Sequence, residues 1–309
     1  MGEARRRGGV RDTRSVRASY VLVIEWLSDG ERKTGTELAN ILDAKDNVRV
    51  RVVPCSSAEQ VVYAIVEAGD NIDEWGIPIV HFEAHGISPS ALDRTSPGLS
   101  GPDGRGGEED LLWDSIAGAL RYLNFRADFR LLVVGAACYS LATLNTIELA
   151  MVAPFTVLVG FDSPVDSGRL YQSMRELYRP LFRPGGTLLQ GIEAAAAELH
   201  QDTAGESLRV TTMYDFAVSL VRETIENVLD PAHRAVHDSH LAREILKIQG
   251  MALRADEVRS RYRRLLRDTL TTFFATCFAY EQVPRNRRRF SIDVQGIIER
   301  TERRYARRV

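Results

Sequence analysis

The stretch IPIVHFEAHG, residues 77–86, sets the reading of this chain. Its β-branched start reads as a strand that buries Ile77, Ile79 and Val80. Nothing about packing asks such a strand to run out in His-Phe-Glu-Ala-His-Gly. Strand-like runs recur on either side of it, at YVLVIEW (20–26), VRVRVV (48–53), FRLLVVGA (129–136) and FTVLVGF (155–161), with a sixth expected within 208–220. Helix-compatible segments alternate with them: one from near Thr36, SSAEQVVYAIVEAG, LLWDSIAGALRYL, one around 141–151, and two over roughly 167–182 and 186–200. Alternating strand and helix implies parallel strands, right-handed crossovers and helices on both faces. Sites in such sheets form beyond the carboxyl ends of the strands, which is where the opening stretch stops. The segment 87–110, rich in Gly, Pro and Ser, reads as a long loop with room for a small hairpin. From about 222 onward the pattern is helical throughout.

A second strand end carries GAACYS (135–140). A single cysteine is most often a small, inert core residue, and a single strand-end histidine is most often structural. Here both end strands that can be sheet neighbours, and they stand 53 residues apart in the order His then Cys. The chemistry is coherent. A thiol nucleophile needs a base within reach, and the tetrahedral intermediate needs backbone N–H donors. Cys138 is the candidate nucleophile and His85 the candidate base. Gly86 lets backbone approach a substrate carbonyl, so the N–H groups of Gly86 and Cys138 are the candidate oxyanion donors. His81 competes for the role of base. It is followed by more strand, whereas His85 meets the glycine, which favours His85 and leaves His81 to pack beneath or bond a neighbour.

With these motifs, VHFEAHG and AACYS in strand context with the helix LLWDSIAGALRYL between them, the chain resembles the caspase-like clan CD cysteine peptidases. It looks most like their bacterial CHAT branch, related to separases and caspases. TVLVGFDSPV and GGTLLQGIEAAAAEL are similar to the second half of such a domain. The likeness covers roughly residues 19–222. It implies an α/β fold with a mostly parallel caspase-like sheet flanked by helices; beyond it, the helical pattern makes 223–309 a C-terminal helical extension, and composition makes 1–18 a disordered basic tail. It also implies peptide-bond hydrolysis by a Cys–His dyad without metal or cofactor, in an effector released by an activating protein or ligand, often in bacterial defence or cell suicide. The nucleophile motif departs from the Gln-Ala-Cys-Arg-Gly of eukaryotic caspases, which detaches this chain from their preference for Asp. Asp162, after the fifth strand, would select Arg or Lys at the cleavage site. Arg32 or Lys33, after the first, would select Asp or Glu. The likeness to separases favours Asp162. Glu83 is a candidate to orient a histidine or bind a substrate amine, or to make a structural hydrogen bond.

The remaining signals bound the reading. Lys and Arg number 40 against 42 Asp and Glu, a net charge of −2, so the chain as a whole is no polyanion binder. The charge is uneven: 15 Arg face 7 acids over 250–309, and 6 Arg face 2 acids over 1–18. The Arg-rich C-terminal region therefore keeps nucleic-acid contact open as a lesser alternative to packing. Three cysteines without pattern suit a reducing compartment, and no secretory h-region or membrane-length apolar run is seen, so a cytoplasmic protein is expected. His233 and His237 have metal-ligand spacing on a helix, but no further ligand supports them. No G-x-G-x-x-G follows the first strand, which disfavours a dinucleotide binder. The rival to the peptidase is an inactive caspase-like module kept for binding partners.

Overall fold

The computed structural model describes residues 18–46, 48–88, 96–148, 151–183, 185–199, 208–229 and 255–307. The tail 1–17 and the histidines of 233–240 lie outside them. The architecture is α/β, as expected. In chain order its elements are β1 (Tyr20–Trp26), α1 (Thr34–Asp46), β2 (Val50–Pro54), α2 (Ala58–Asp70), the short α3 (Ile72–Trp75) and β3 (Pro78–Ile87). Next come β4 (Gly98–Pro102), β5 (Glu108–Leu112), α4 (Trp113–Arg126), β6 (Leu132–Ala136), a 3-10 helix (Ser140–Thr146), β7 (Val157–Phe161), α5 (Ser167–Leu181), α6 (Leu188–Leu199) and β8 (Leu208–Thr212).

The main sheet has the order β2-β1-β3-β6-β7-β8, parallel except for β8, which runs antiparallel to β7 at one edge. Central strands covered on both faces must be apolar along their whole length. All seven residues of β1 are buried, and so is every residue of β6 and β7. Alternation then assigns the layers. Val21, Val23, Ile79, Val134 and Val159 pack with Leu38 and Leu42 of α1 and with Met174 and Leu177 of α5. The other face takes α2 and α4, with Phe82 edge-on to Trp113 at 5.7 Å between ring centres.

β3 outgrows the sheet, and the expectation that it ends at Phe82 is corrected here. It pairs with β1 as far as Ala84, and then His85–Ile87 pair antiparallel with Gly98–Ser100 of β4. β4 and β5 form a hairpin, so much of the expected loop over 87–110 is ordered structure. The indole N–H of Trp26 donates to the Pro102 carbonyl at 2.9 Å, and the Glu109 carboxylate accepts from the Ala58 N–H at the start of α2. These bonds fasten the hairpin over the carboxyl ends of β1 and β2.

Two compact units divide between Met213 and Tyr214. The expected boundary at 222/223 falls inside helix α7 (Met213–Leu229). Within the second unit, α8 (Ala255–Cys277) and α10 (Val294–Ala306) are joined by an Arg263–Glu302 ion pair at 2.8 Å. The rings of Phe278 and Phe290 stack around the short α9 (Asn286–Arg289). Among the described residues no helix is long and apolar enough to cross a membrane.

Candidate functional site

The turn after β6 is built around Ser140. Its hydroxyl donates to the Gly135 carbonyl at 2.7 Å and accepts from the Phe161 N–H at 3.0 Å, which ties β6 to β7 where both strands end. The side chain has room there only because both strands offer glycine. A Cβ at Gly135 would lie 2.4 Å from that of Ser140, and one at Gly160 would lie 2.7 Å from its hydroxyl. With Ser140 fixed, the chain must turn sharply, and Tyr139 takes a left-handed backbone with φ of 54°. A non-glycine residue there costs of order 1 kcal/mol, which the Ser140 clasp offsets. Cys138 is thereby held at the carboxyl edge of the sheet, partly exposed. Its Sγ accepts from the Val165 N–H at 3.5 Å. The other two cysteines are buried, and burial pushes the Cys55 thiol up to about 12.

Gly86 joins this turn to the histidine strand. A Cβ there would stand 1.8 Å from the Cys138 carbonyl oxygen and 2.8 Å from its nitrogen. Only a residue without a side chain lets these two backbones touch. The glycine in the His-Gly motif is therefore required by contact with the Cys138 backbone, and His85 is brought to the same edge as the thiol.

His81, Glu83 and His85 alternate along β3 and share one face, the face covered by α1 and α5. Tyr178 of α5 meets His81 Nδ1 at 2.8 Å, His81 Nε2 meets Glu83 Oε1 at 3.2 Å, and the Thr34 hydroxyl donates to Glu83 Oε2 at 3.0 Å. Burial, reinforced by the Glu83 charge, pushes the Tyr178 phenol well above its ordinary value, so it keeps its proton and donates it. His81 then carries its proton on Nε2, directed at Glu83. Next to this chain, Glu25 of β1 accepts from the N–H and the hydroxyl of Thr36 at the start of α1. His81 and Glu83 are almost wholly buried. Glu83 orients a histidine, but it is His81, and it offers no surface to a substrate amine.

His85 lies beyond this network, with 56% of its side chain exposed, and its Nε2 pairs with Glu31 in the loop after β1 at 2.5 Å. Partial burial raises the Glu31 carboxyl, but the Ser28 N–H, the His85 ring and the nearby Lys33 outweigh it and hold the group below its ordinary value. Glu31 did not stand out in the sequence; one acid in a polar loop carries no signal until the loop folds over β3.

The charges weighed for specificity are all engaged. Asp162 pairs with Arg209 of β8 at 2.5 Å. Arg32 pairs with Glu37 and lies over the Tyr171 ring, and the Lys33 ammonium donates to the Leu27 carbonyl. Among the described residues no group of three His, Cys, Asp or Glu could hold a metal ion. The site thus comprises a partly exposed thiol, an exposed imidazole backed by a carboxylate, and a glycine next to that histidine packed on the backbone of the cysteine. No family model matches the chain, and no curated protein is similar to it in sequence.

Proposed function

We propose that this chain is a cysteine endopeptidase with Cys138 as nucleophile and His85 as general base and acid. One observation carries the reading: the absence of room for any side chain at Gly86, which brings the His85 strand end against the backbone of the partly exposed Cys138. Sγ attacks the scissile carbonyl carbon while His85 takes the thiol proton. The resulting oxyanion is held by the N–H groups of Gly86 and Cys138. His85 then returns the proton to the amine as the C–N bond breaks. Water, deprotonated by the same imidazole, releases the acyl group and restores the thiol.

The proposal extends to a regulated effector of bacterial defence or programmed cell death, working in the cytoplasm, with a protein target and an activating partner. Its basis there is the motif resemblance alone. Cleavage after Arg or Lys belongs to it through an exchange of partners at Asp162. Arg209 is 63% exposed, and an exposed ion pair is worth about 0–1 kcal/mol, so a substrate cation can displace it at small cost.

The test is covalent. A peptidyl acyloxymethyl ketone with Arg at the reactive end is expected to label Cys138 in the native chain and to leave His85→Ala unlabelled. Cleavage of a peptide library that survives Cys138→Ala would sink the assignment. A chain that neither labels nor cleaves, alone or in a lysate of its host, is a partner-binding module instead.

A further inference from the structure

We infer that Glu31 is the positioning residue of this site: it accepts the Nε2 proton of His85, restrains the ring and leaves Nδ1, the remaining lone pair, to act as the base for Cys138. The inference rests on the proposed nucleophile and base and adds a third member to them.

Geometry comes first. The His85 ring has two nitrogens, and its Nε2 is engaged by Glu31 Oε1. A carboxylate can only accept, so the proton of a neutral ring must sit on Nε2, and Nδ1 is left as the base. The acceptor is itself held in place. The Ser28 N–H donates to the other oxygen, Oε2, at 2.6 Å. The loop that carries both residues is anchored at its far end by the Lys33 bond to the Leu27 carbonyl and by the Thr34 bond to buried Glu83. Charge agrees with geometry. Glu31 is held in its ionised form near neutral pH by the Ser28 N–H, His85 and Lys33, against the partial burial that opposes it.

The need for such a residue follows from exposure. More than half of the His85 side chain is in solvent, where an imidazole samples several rotamers. His81, deeper on the same strand, is held by packing and two buried bonds. Among the described residues the His85 ring is bonded only by Glu31, and a base displaced by about 1 Å can cost about a hundredfold in rate. Glu31 supplies from one side the restraint that burial supplies to His81 from all sides.

A double-mutant cycle tests this on the full chain, read first by the rate at which iodoacetamide alkylates Cys138. That readout needs no peptide substrate, so it separates the failure of this inference from the failure of the peptidase assignment. Glu31→Ala is expected to slow alkylation about tenfold beside His85, and less than twofold in a His85→Ala background. Glu31→Gln keeps an acceptor for Nε2 and should fall between wild type and alanine. Thermal unfolding of each variant guards against a collapsed loop. If a cleaved peptide is in hand, kcat should fall with KM little changed. Equal slowing in both backgrounds would mean that Glu31 only shapes its loop, and would overturn the inference. Faster alkylation in Glu31→Ala would also overturn it, because the carboxylate would then be withholding the base. The expected coupling without any peptide cleavage would uphold Glu31 and strike the peptidase reading.

Discussion

His81 and His85 stand on one strand and one face, four residues apart, yet one is wholly buried and the other is mostly in solvent. His81 is locked between a phenol that keeps its proton and a buried carboxylate. His85 lies past the last residue paired to β1, with one carboxylate on one nitrogen. The same side chain therefore has two uses, decided by depth in the layer. A buried ring with both nitrogens occupied is a strut, because moving its proton would leave a buried partner unpaired. An exposed ring with one nitrogen occupied can exchange a proton with a substrate complex.

The sharpest way to break this contrast is to remove each histidine in turn. His85→Ala and Cys138→Ala should each lower peptide cleavage by several orders of magnitude and leave the melting temperature within a few degrees of wild type. His81→Ala should do the reverse in kind. It leaves the Tyr178 hydroxyl without its histidine and Glu83 with Thr34 alone of the two partners described, at a cost of roughly 3 kcal/mol, which chemical denaturation would record. A soluble, folded His81→Ala chain that has lost all activity, beside an active His85→Ala chain, would exchange the two roles.

Gly86→Ala acts on the joint between the regions. The new methyl must displace the Cys138 backbone, so we expect a loss of about a hundredfold in kcat/KM together with about 1–3 kcal/mol of stability. Retention of full activity would show that the contact with Cys138 does not position the thiol. Ser140→Ala should give a milder form of the same result. It orphans the buried Phe161 N–H for about 1–3 kcal/mol and loosens the turn that carries Cys138. Hydrogen exchange at Phe161 would report the loosening directly.

The smallest effects are expected at the exposed pair. Arg209→Ala should change stability by less than about 1 kcal/mol and improve turnover of peptides with Arg or Lys at the cleavage site, since the cation competing for Asp162 is then gone. Asp162→Ala should lose that preference without losing the fold. Profiling that returns Asp or Glu instead would move the selecting charge to Arg32 or Lys33.

Much of this architecture was legible in local pattern. Buried strands such as Leu132–Ala136 and Val157–Phe161 are unbroken apolar runs, and the alternation with helices already implied a parallel sheet. The same pattern put a histidine and a cysteine at strand ends, the edge where such sheets hold their sites. It misjudged the length of β3, because a polar His-Phe-Glu-Ala-His run looks like the end of a strand. The polar residues alternate toward α1 and α5, and the hairpin pairs with the strand beyond Ala84.

Residue order by itself thus determined the elements, their α/β alternation and the candidate nucleophile and base. The packed chain alone decided what each candidate touches: Gly86 on Cys138, Glu31 on His85, Tyr178 on His81, Arg209 on Asp162. The reason is physical. Periodicity records which face of an element is covered, and it acts over a few residues. These contacts join positions from 47 to 97 residues apart, whose meeting depends on sheet order and on how far each loop folds back over the strand ends.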